Sequence, residues 1–509
     1  MGLTTVDQFG SQLSRVTWTI LITASIVLTI IYSITVVIYN LYFHPLRHYP
    51  GPRAHAATSL AWGISNLRGT LAKDVRVLHE TYGPVLRIRP NELAFAKEEA
   101  WQDIYGHKGS VKRAGLLPGV RELPKHNLFY KAYPGQPESI LTADYDTHMK
   151  WRKILAPAFS DKSLKAQEPL VMHYIDLLMT RMRERRGKAV DIVQWYNFTT
   201  FDVIGDLAFG DSFGCLENAR YDPFVLLIMG TLKHNSVLLF LRYMGLKTLS
   251  VVALFSLLRN NLDLISSATE TLKKRIASGG SRPDLIQPFI EDKESGGETF
   301  GNLCSMAQAL LIAGSETTAA ALSGVTWLLL SNPEKLAKLK EEVRSAFQDE
   351  TEIDFTSVQR LEYMTACLNE GLRMYPPVAT ALPREVPKGG AVIAGNYVPE
   401  KTVVTVYQWP INHLSSNWTE PFKFVPERFL GDEKFRGDKQ ASLRPFSVGP
   451  RDCVGKNLAY VEMRVILARL IWNFDPELAE DEEDWIGKQG NYVIWEKLPL
   501  NVVLTPVER

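Results

Sequence analysis

The segment Phe446-Ser-Val-Gly-Pro-Arg-Asp-Cys453-Val-Gly455 decides how the rest of the sequence is interpreted. A cysteine that binds a metal needs surroundings that stabilise negative sulfur. Gly449 and Gly455 allow the backbone to turn tightly and to approach a flat group closely, because neither carries a Cβ. Cys453 also comes directly before a predicted helix at 454–472, whose N-terminus favours an anion. Cys453 is therefore the candidate metal ligand, with a buried structural thiol as the alternative for a lone cysteine.

Composition argues against several other kinds of site. The four cysteines, Cys215, Cys304, Cys367 and Cys453, are far apart and form no Cys-x-x-Cys pair, which argues against a zinc site and a disulfide framework. The formal net charge of +1 gives no electrostatic reason to expect a nucleic-acid partner. A hydrophobic fraction of 46% supports a large core, and no linker or repeat divides the chain. One large catalytic domain is the prediction.

The cysteine segment resembles a known signature. Phe-x-x-Gly-x-Arg-x-Cys-x-Gly, matched here at every fixed position, is similar to the haem-binding sequence of the cytochrome P450 family. The resemblance implies haem b (heme, iron protoporphyrin IX) with Cys453 as the axial ligand of its iron. Phe446, Gly449 and Gly455 would shape the loop, and Arg451 would pair with a haem propionate. It also implies the cytochrome P450 fold, mainly α with small β-sheets, and the chain looks like fungal enzymes of secondary metabolism such as isotrichodermin hydroxylase.

A second motif, Ala313-Gly-Ser-Glu316-Thr317-Thr318, lies inside a predicted helix at 303–330. A glycine and a hydroxyl interrupt its apolar stripe there, and the simplest reading of Thr317 is a hydroxyl bonded back to the carbonyl at i−4. The motif also resembles the helix that crosses the oxygen face of the haem in the P450 family. That resemblance implies that Gly314 makes room for dioxygen, that Thr317 holds the reacting oxygen and that Glu316 relays protons.

Three more residues are candidates for binding the haem propionates. His148 and Arg152 are spaced i and i+4, so both side chains can point at one anion. The family commonly has Trp-x-x-x-Arg at this place, and this sequence has histidine in the first position. Arg384 matches a propionate-binding arginine of the family, although a solvated arginine would give the same sequence.

Glu370 and Arg373 lie at i and i+3 of a predicted helix. Alone, such a pair is usually a surface ion pair worth at most about 1 kcal/mol. Together with Arg428, in Pro426-Glu-Arg-Phe, it resembles the buried triad of the P450 family, whose implied role is structural.

The N-terminus predicts a membrane anchor. Residues 16–46 contain no Asp, Glu, Lys or Arg, and the apolar run exceeds the roughly 20 residues that a membrane-spanning helix needs. A cleaved signal peptide, the alternative, has an apolar region of only about 7–15 residues. We predict an anchor at 1–40, a proline-rich hinge at 41–53 and a haem-binding monooxygenase domain at 54–509. The expected location is a single-pass protein of the endoplasmic reticulum whose catalytic domain faces the cytosol.

Periodicity predicts a mostly helical body. The predicted helices are 164–183, 262–276, 303–330, 334–347 and 459–472, the predicted strands are 85–88 and 403–407, and residues 279–301 are predicted to be a loop. Residues 111–140, rich in proline, glycine and basic residues, carry no pattern that assigns them.

The resemblance implies a monooxygenase that inserts one oxygen atom from O₂ into an apolar small molecule, by hydroxylation or epoxidation. A terpenoid or polyketide intermediate fits, with candidate pocket residues in 111–130, 305–315 and 378–382. Electrons would come from NADPH through NADPH–cytochrome P450 reductase, with cytochrome b5 as a second candidate partner and membrane lipid around the anchor. Basic residues outnumber acidic ones at 434–456, which suits an acidic redox partner. The alternatives are a haem-thiolate isomerase or dehydratase and a non-catalytic haem- or lipid-binding membrane protein.

Overall fold

The computed structural model describes residues 3–107, 109, 114–131, 133, 135–259, 262–277, 282, 284–291, 298–480 and 483–508. The longer helices are Leu3–Tyr42, Leu71–Tyr82, Tyr145–Leu155, Asp161–Arg183, Ile192–Phe209, Pro223–Tyr243, Lys247–Arg259, Leu262–Ala277, Phe300–Leu330, Pro333–Ala346, Glu362–Met374 and Lys456–Asn473. Shorter helices are Arg53–Ala57, Leu60–Arg68, Glu99–Tyr105, Asn127–Tyr130, Cys215–Asn218, Gln287–Glu291 and Gln408–His413. Single turns of 3₁₀ helix lie at Ala156–Phe159, Glu350–Glu352, Ser357–Arg360, Pro426–Phe429, Glu433–Phe435, Gln440–Ser442 and Gly449–Arg451.

The strands form small sheets, as the sequence predicted. In the four-stranded sheet the order is Val85–Arg89, Glu92–Phe95, Val403–Val406 and Arg384–Glu385, with one parallel pair between the second and third. The three-stranded antiparallel sheet has the order Ala189–Asp191, Asn501–Pro506 and Phe474–Leu478. Two hairpins, Ala391–Ile393 with Asn396–Val398 and Asn491–Tyr492 with Ile494–Trp495, complete the described strands.

The helix Phe300–Leu330 runs through the core and is here called the central helix. It begins after Thr299, whose hydroxyl accepts a hydrogen bond from the backbone N–H of Asn302 at 3.2 Å. Being apolar on nearly all faces, it is buried along most of its length, against helices that include Ile192–Phe209 and Lys456–Asn473. Gly324 permits this close packing, because a Cβ there would lie 2.3 Å from the ring of Tyr375.

The predicted helices and strands are correct to within a few residues at each end. Each has apolar residues at a regular spacing, which is a local signal. The predicted loop at 279–301 is wrong at Gln287–Glu291, which is a short helix. Residues 279–281, 283 and 292–297 of that predicted loop lie outside the described residues. The sequence analysis missed Ile192–Phe209 and Pro223–Tyr243, because helices that are apolar on nearly every face show little periodicity.

The N-terminal helix is a candidate membrane anchor. Its segment Thr17–Tyr42 contains an 18-residue stretch with a mean hydropathy of 2.4, and that stretch is not buried by the rest of the protein. Pro223–Tyr243 is also long and apolar enough, but 38% of its apolar stretch is buried within the fold. Where the anchor ends, Arg87 donates a hydrogen bond to the carbonyl of Asn40 at 2.9 Å, and Asn40 donates to the carbonyl of Ala57 at 2.8 Å. The end of the anchor helix is thus fastened to the body.

Candidate active site

The cysteine loop is shaped by contacts with its own protein. The backbone N–H of Cys453 donates to the carbonyl of Phe446 at 2.9 Å and closes the loop. Gly449 has φ +82°, and a Cβ there would lie 2.0 Å from the carbonyl oxygen of Tyr105. Gly449 is therefore required where the loop meets the helix Glu99–Tyr105, and not only for approach to a flat group. A Cβ at Gly455 would make an ordinary contact, 3.5 Å from the ring of Phe159.

Cys453 differs from the other cysteines in its accessibility. Its side chain is exposed, whereas Cys215 and Cys367 are buried and Cys304 is intermediate. Although the residue is accessible, desolvation by the protein atoms around it raises the pKa of the Cys453 thiol and outweighs the hydrogen bond from the backbone of Gly455 and the charge of Arg152. The loop by itself therefore does not stabilise the thiolate fully. A bound metal cation would favour the thiolate, because a coordinating thiol is deprotonated.

The middle of the central helix carries a small accessible patch. Beyond the first turn, Ala313 is the one exposed residue of this fully described helix, and Thr317, four residues later, is half-buried. The hydroxyl of Thr317 donates to the carbonyl of Ala313 at 2.6 Å, which is the back-bonded arrangement that the sequence allowed. Gly314 points elsewhere, since a Cβ on it would lie 2.7 Å from Ile204. The open position expected at Gly314 therefore belongs to Ala313, and Gly314 serves the packing of two helices.

Glu316 lies in a buried ion pair that the sequence did not predict. Its Oε2 is 2.5 Å from Nζ of Lys497, and both side chains are only 3% exposed. The other oxygen, Oε1, is buried and has no hydrogen-bond partner in the described part of the chain. In this arrangement the carboxylate is held by Lys497 and lies outside the accessible patch. Lys497 lies 181 positions further along the chain, so no local signal could have identified it.

His148 and Arg152 both hold the backbone beside Cys453. The His148 ring lies between two carbonyls, with Nδ1 3.0 Å from Ile140 O and Nε2 3.2 Å from Pro450 O. Burial, with the charge of Arg451, lowers the pKa of His148 to about 4, so the ring is neutral and only one nitrogen donates. Arg152 donates to the carbonyl and the carboxylate of Asp452, at 2.6 and 2.7 Å. Both side chains position the loop.

Arg384 and Arg451 belong to a cluster of cations at one side of the loop. The side chain of Arg451 is 6% exposed and pairs with Glu122, Nε to Oε2 at 2.7 Å. Arg384 is 5% exposed, and its Nη1 has no hydrogen-bond partner within the described ranges. Lys125 forms a β-bridge with Arg384 and donates to the carbonyl of Leu141 at 2.6 Å. Desolvation, with the charges of Arg451 and Arg384, lowers the pKa of Lys125 to about 6.

These residues fit a haem. An accessible thiol can ligate the iron, and a cluster of cations in which Nη1 of Arg384 has no hydrogen-bond partner among the described residues suits the acidic propionates. Cys453 would hold the metal, while Arg384, Arg451 and Lys125 would receive the acidic groups. The sequence analysis missed Lys125 and Glu122, because both lie in the segment 111–140, which has neither helical nor strand periodicity.

The structure brings Glu370, Arg373 and Arg428 together and adds Asp438. Arg373 donates to both oxygens of Glu370 at 2.8 Å, and Arg428 donates to Oε1 at 3.1 Å. Arg428 also pairs with Asp438, and all four side chains are 0% exposed. Two carboxylates and two guanidinium groups therefore neutralise each other inside the core. The group lies where the helix Glu362–Met374 packs against the 3₁₀ turn Pro426–Phe429.

Glu462 is a buried acid that the sequence analysis did not identify. It lies in the helix that follows Cys453 and hydrogen-bonds with Thr318 of the central helix. Burial raises its pKa from 4.5 to about 8, with that hydrogen bond opposing the rise. The carboxyl group is therefore protonated at neutral pH. It joins the helix that carries Thr317 to the helix that begins beside the cysteine loop.

We expect Glu462 to make stability depend on pH. The pKa of Glu462 is higher in the folded than in the unfolded state. Its contribution to the stability of the protein is therefore fully present below about pH 4.5 and is lost as the pH rises through about 8. Glu462→Gln keeps a neutral group, so between pH 5.5 and 9 the wild type should lose on the order of 1–3 kcal/mol relative to the variant. Unfolding across this pH range measures the difference. Glu477→Gln, at an exposed position, is the control, and an equal pH dependence of wild type and Glu462→Gln would refute the prediction.

Comparison with known families identifies the fold. The family model described as Cytochrome P450 matches residues 50–503. The chain belongs to the cytochrome P450 family.

Curated relatives of this P450 are fungal monooxygenases. The chain is 46% identical over 488 residues to cytochrome P450 monooxygenase tpeC of Talaromyces stipitatus, covering 96% of this chain and 95% of that protein. It is 42% identical over 484 residues to averantin hydroxylase of Dothistroma septosporum, covering 94% and 90%. It is 39% identical over 486 residues to cytochrome P450 monooxygenase prhB of Penicillium brasilianum, covering 94% and 97%. The predicted family and enzyme class are confirmed, and membership implies a haem-iron cofactor, a redox partner and a small-molecule substrate.

Proposed function

We propose that this P450 inserts one oxygen atom from O₂ into an apolar small molecule, with Cys453 as the axial ligand of haem b. The observation that carries the proposal is the accessible thiol of Cys453, the one exposed cysteine, within a complete haem-binding sequence. When bound there, a thiolate-ligated haem supplies the activation of dioxygen. The protein holds the loop through Arg152 and His148, and it offers accessible residues of the central helix to the substrate.

We further propose that the substrate is an intermediate of fungal secondary metabolism, such as a terpenoid or a polyketide. Beside Thr317, the accessible patch of the central helix includes the methyl group of Ala313 and the half-buried Ile312. Ala379 and Ala381, in the candidate pocket segment 378–382, are buried, and Val378 and Leu382 are partly accessible. Such a lining suits an apolar molecule. The name of one relative, averantin hydroxylase, supports hydroxylation ahead of epoxidation.

Electrons are proposed to come from NADPH through NADPH–cytochrome P450 reductase, with cytochrome b5 as a second candidate. The basic face expected at 434–456 is weaker than its sequence implied, because three of its cations pair with carboxylates within the chain: Lys434 with Glu420, Arg436 with Glu433 and Arg451 with Glu122. Arg444 and Lys456 have no carboxylate partner among the residues that the structure describes. These two are the proposed contacts for an acidic redox partner.

Thr317 is the proposed residue for proton delivery. Because its hydroxyl hydrogen is directed to the carbonyl of Ala313, its oxygen is available to accept a hydrogen bond from a water molecule that carries protons. Glu316, beside it, would exchange protons with that water only after separating from Lys497.

We expect Thr317→Ala to separate NADPH consumption from product formation. The change preserves helix propensity and removes a hydroxyl and a methyl group. Haem content and substrate affinity should stay near normal, while the ratio of product to NADPH falls about tenfold, which is less than the roughly 10²–10⁴-fold of a full general acid–base effect. The lost electrons should appear as hydrogen peroxide. The measurement is a reductase-coupled assay of product, NADPH and peroxide.

Ser315→Ala is the matched control for Thr317→Ala. Ser315 also donates its hydroxyl to the carbonyl at i−4, at 2.6 Å, but on the fully buried side of the same helix. It should leave the ratio of product to NADPH unchanged. An unchanged ratio in Thr317→Ala would make Thr317 a packing residue, and product formation without NADPH would support the isomerase alternative.

We propose that the protein is a single-pass membrane protein of the endoplasmic reticulum, divided into the anchor 1–40, the hinge 41–53 and the domain 54–509. The aromatic residues at the end of the anchor suit a membrane interface, and Arg47 and Arg53 beyond it support this orientation, because positive charge is favoured on the cytosolic side. Turns at 43–52 support the hinge boundaries. The hinge is attached to the body by the fully buried Leu46 and by a hydrogen bond from the backbone N–H of Arg87 to the carbonyl of Pro50.

Deleting residues 1–36 should move much of the protein from the membrane to the soluble fraction, with haem incorporation preserved. This deletion removes most of the apolar run and keeps Asn40, which binds Arg87 and Ala57. Fractionation with a haem assay measures both effects, and deletion of 1–40 is the comparison that tests the contribution of Asn40. Protection of the body from added protease in intact microsomes would contradict the proposed orientation.

A further inference from the structure

A buried group of charges beside the cysteine loop contains more cations than anions. Arg451, Lys125 and Arg384 lie close enough for the two arginine charges to lower the pKa of Lys125. Glu122 is the carboxylate that contacts Arg451, whereas Lys125 donates only to carbonyl oxygens, at 2.6 to 3.5 Å. The Nη1 of Arg384 has no hydrogen-bond partner among the residues that the structure describes. Burying cations is unfavourable unless anions neutralise them, so this cluster is built to receive further negative charge.

The Glu122 carboxylate fills the fork of Arg451. Nε of Arg451 lies 2.7 Å from Oε2 and 3.0 Å from Oε1, and Nη2 lies 2.8 Å from Oε1. A bidentate pair of this kind is a strong and specific arrangement for a carboxylate. The arginine that the haem-binding sequence supplies for a propionate is therefore already bound by a carboxylate of this chain.

The side chain of Glu122 also has space to move away from Arg451. It lies in a segment without regular secondary structure, and its side chain is 13% exposed. It borders a cavity of about 670 Å³, open to solvent and lined also by Lys125, Lys131 and Arg451. A carboxylate that turned from Arg451 into this cavity would stay close to two lysines and to water. The Glu122 carboxylate would therefore keep charged partners after leaving Arg451.

We propose that Glu122 is a resident carboxylate that an acidic group of the haem displaces from Arg451. Glu122 neutralises Arg451 until the haem is seated and competes with the haem for the same guanidinium group afterwards. Lys125 and Arg384 receive the remaining negative charge of the haem. The proposal rests on the proposed function, in which Cys453 binds the haem iron.

The test is the rate at which full-length holoprotein loses its haem to an excess of apomyoglobin, followed by absorbance. Glu122→Gln removes the competing charge and keeps the shape, so haem loss should slow roughly tenfold, a size typical of a charged hydrogen bond. Glu477→Gln, at an exposed position outside this cluster, is the control and should not alter the rate. Lys125→Met should accelerate haem loss roughly tenfold, and Lys125→Arg should restore the wild-type rate.

Faster or unchanged haem loss in Glu122→Gln would overturn the proposal, because a Glu122 that stays on Arg451 in the holoprotein can only support the site. Equal rates of haem loss in Lys125→Met and wild type would show that Lys125 does not hold the haem. The reduced carbonyl spectrum of each variant separates this test from that of the proposed function. A thiolate-type spectrum with unaltered rates refutes the role of Glu122 alone, whereas its absence in the wild type refutes the role of Cys453.

Discussion

Replacing Cys453 with alanine is expected to abolish the thiolate-type spectrum of the reduced carbonyl complex and all product formation. The side chain of Cys453 is accessible within a loop closed by the hydrogen bond between its own N–H and the carbonyl of Phe446. Alanine keeps that backbone hydrogen bond and removes the sulfur. The protein should therefore still fold, since an accessible side chain contributes little packing. Without a thiolate, the electron donation that favours O–O cleavage is lost.

The measurements for Cys453→Ala are the difference spectrum of the reduced carbonyl complex and the circular dichroism of the protein. Cys304→Ala is the matched control, because Cys304 is also partly accessible and lies in the first turns of the central helix. The control should retain the normal spectrum. A normal spectrum in Cys453→Ala, together with its loss in Cys304→Ala or Cys367→Ala, would assign the ligand to another cysteine.

Replacing Glu370 with glutamine is expected to prevent the protein from accumulating with haem. Glu370 is 0% exposed and accepts hydrogen bonds from Arg373, from Arg428 and from the backbone N–H of Val425 at 3.0 Å. Glutamine is nearly the same size but neutral, so two buried guanidinium groups lose their shared counter-charge. Removing one partner of a buried ion pair typically costs about 3–5 kcal/mol. That is a large part of the roughly 5–15 kcal/mol by which a protein is stable.

Thermal unfolding and haem content measure the effect of Glu370→Gln. The matched control is Glu362→Gln, an exposed position at the start of the same helix, where a change of within about 0.5 kcal/mol is expected. Asp438→Asn should resemble Glu370→Gln, because Asp438 is the second buried carboxylate of the group and pairs with Arg428. Wild-type stability in Glu370→Gln would show that the pair is dispensable in the fold.

Several parts of the site were predictable because their signals are local. The spacing of Phe446, Gly449, Arg451 and Cys453 is a pattern within one short segment, and the central helix shows its apolar residues at regular intervals. The anchor is equally local, since length and hydropathy alone define it. Glu370 and Arg373 are neighbours on one helix face, so that half of the triad was also predictable.

Other features of the site depend on residues that are distant in sequence. Glu316 meets Lys497, 181 positions away, and Arg451 meets Glu122, 329 positions away. Helical spacing placed Gly314 on the apolar stripe, but only the neighbour Ile204 shows which side of the helix packs tightly. The accessible position therefore moved by one residue, from Gly314 to Ala313.

The sequence by itself determined the family and the helical class, and it predicted the membrane anchor and the metal-binding cysteine, because each is encoded in the type and spacing of residues along one segment. Only the tertiary structure decided which charges neutralise one another. Lys497 with Glu316, Asp438 with Arg428 and Glu122 with Arg451 are pairs of this kind. The physical reason is that a buried charge needs a partner in space, and the fold, not the spacing along the chain, chooses which residue that partner is.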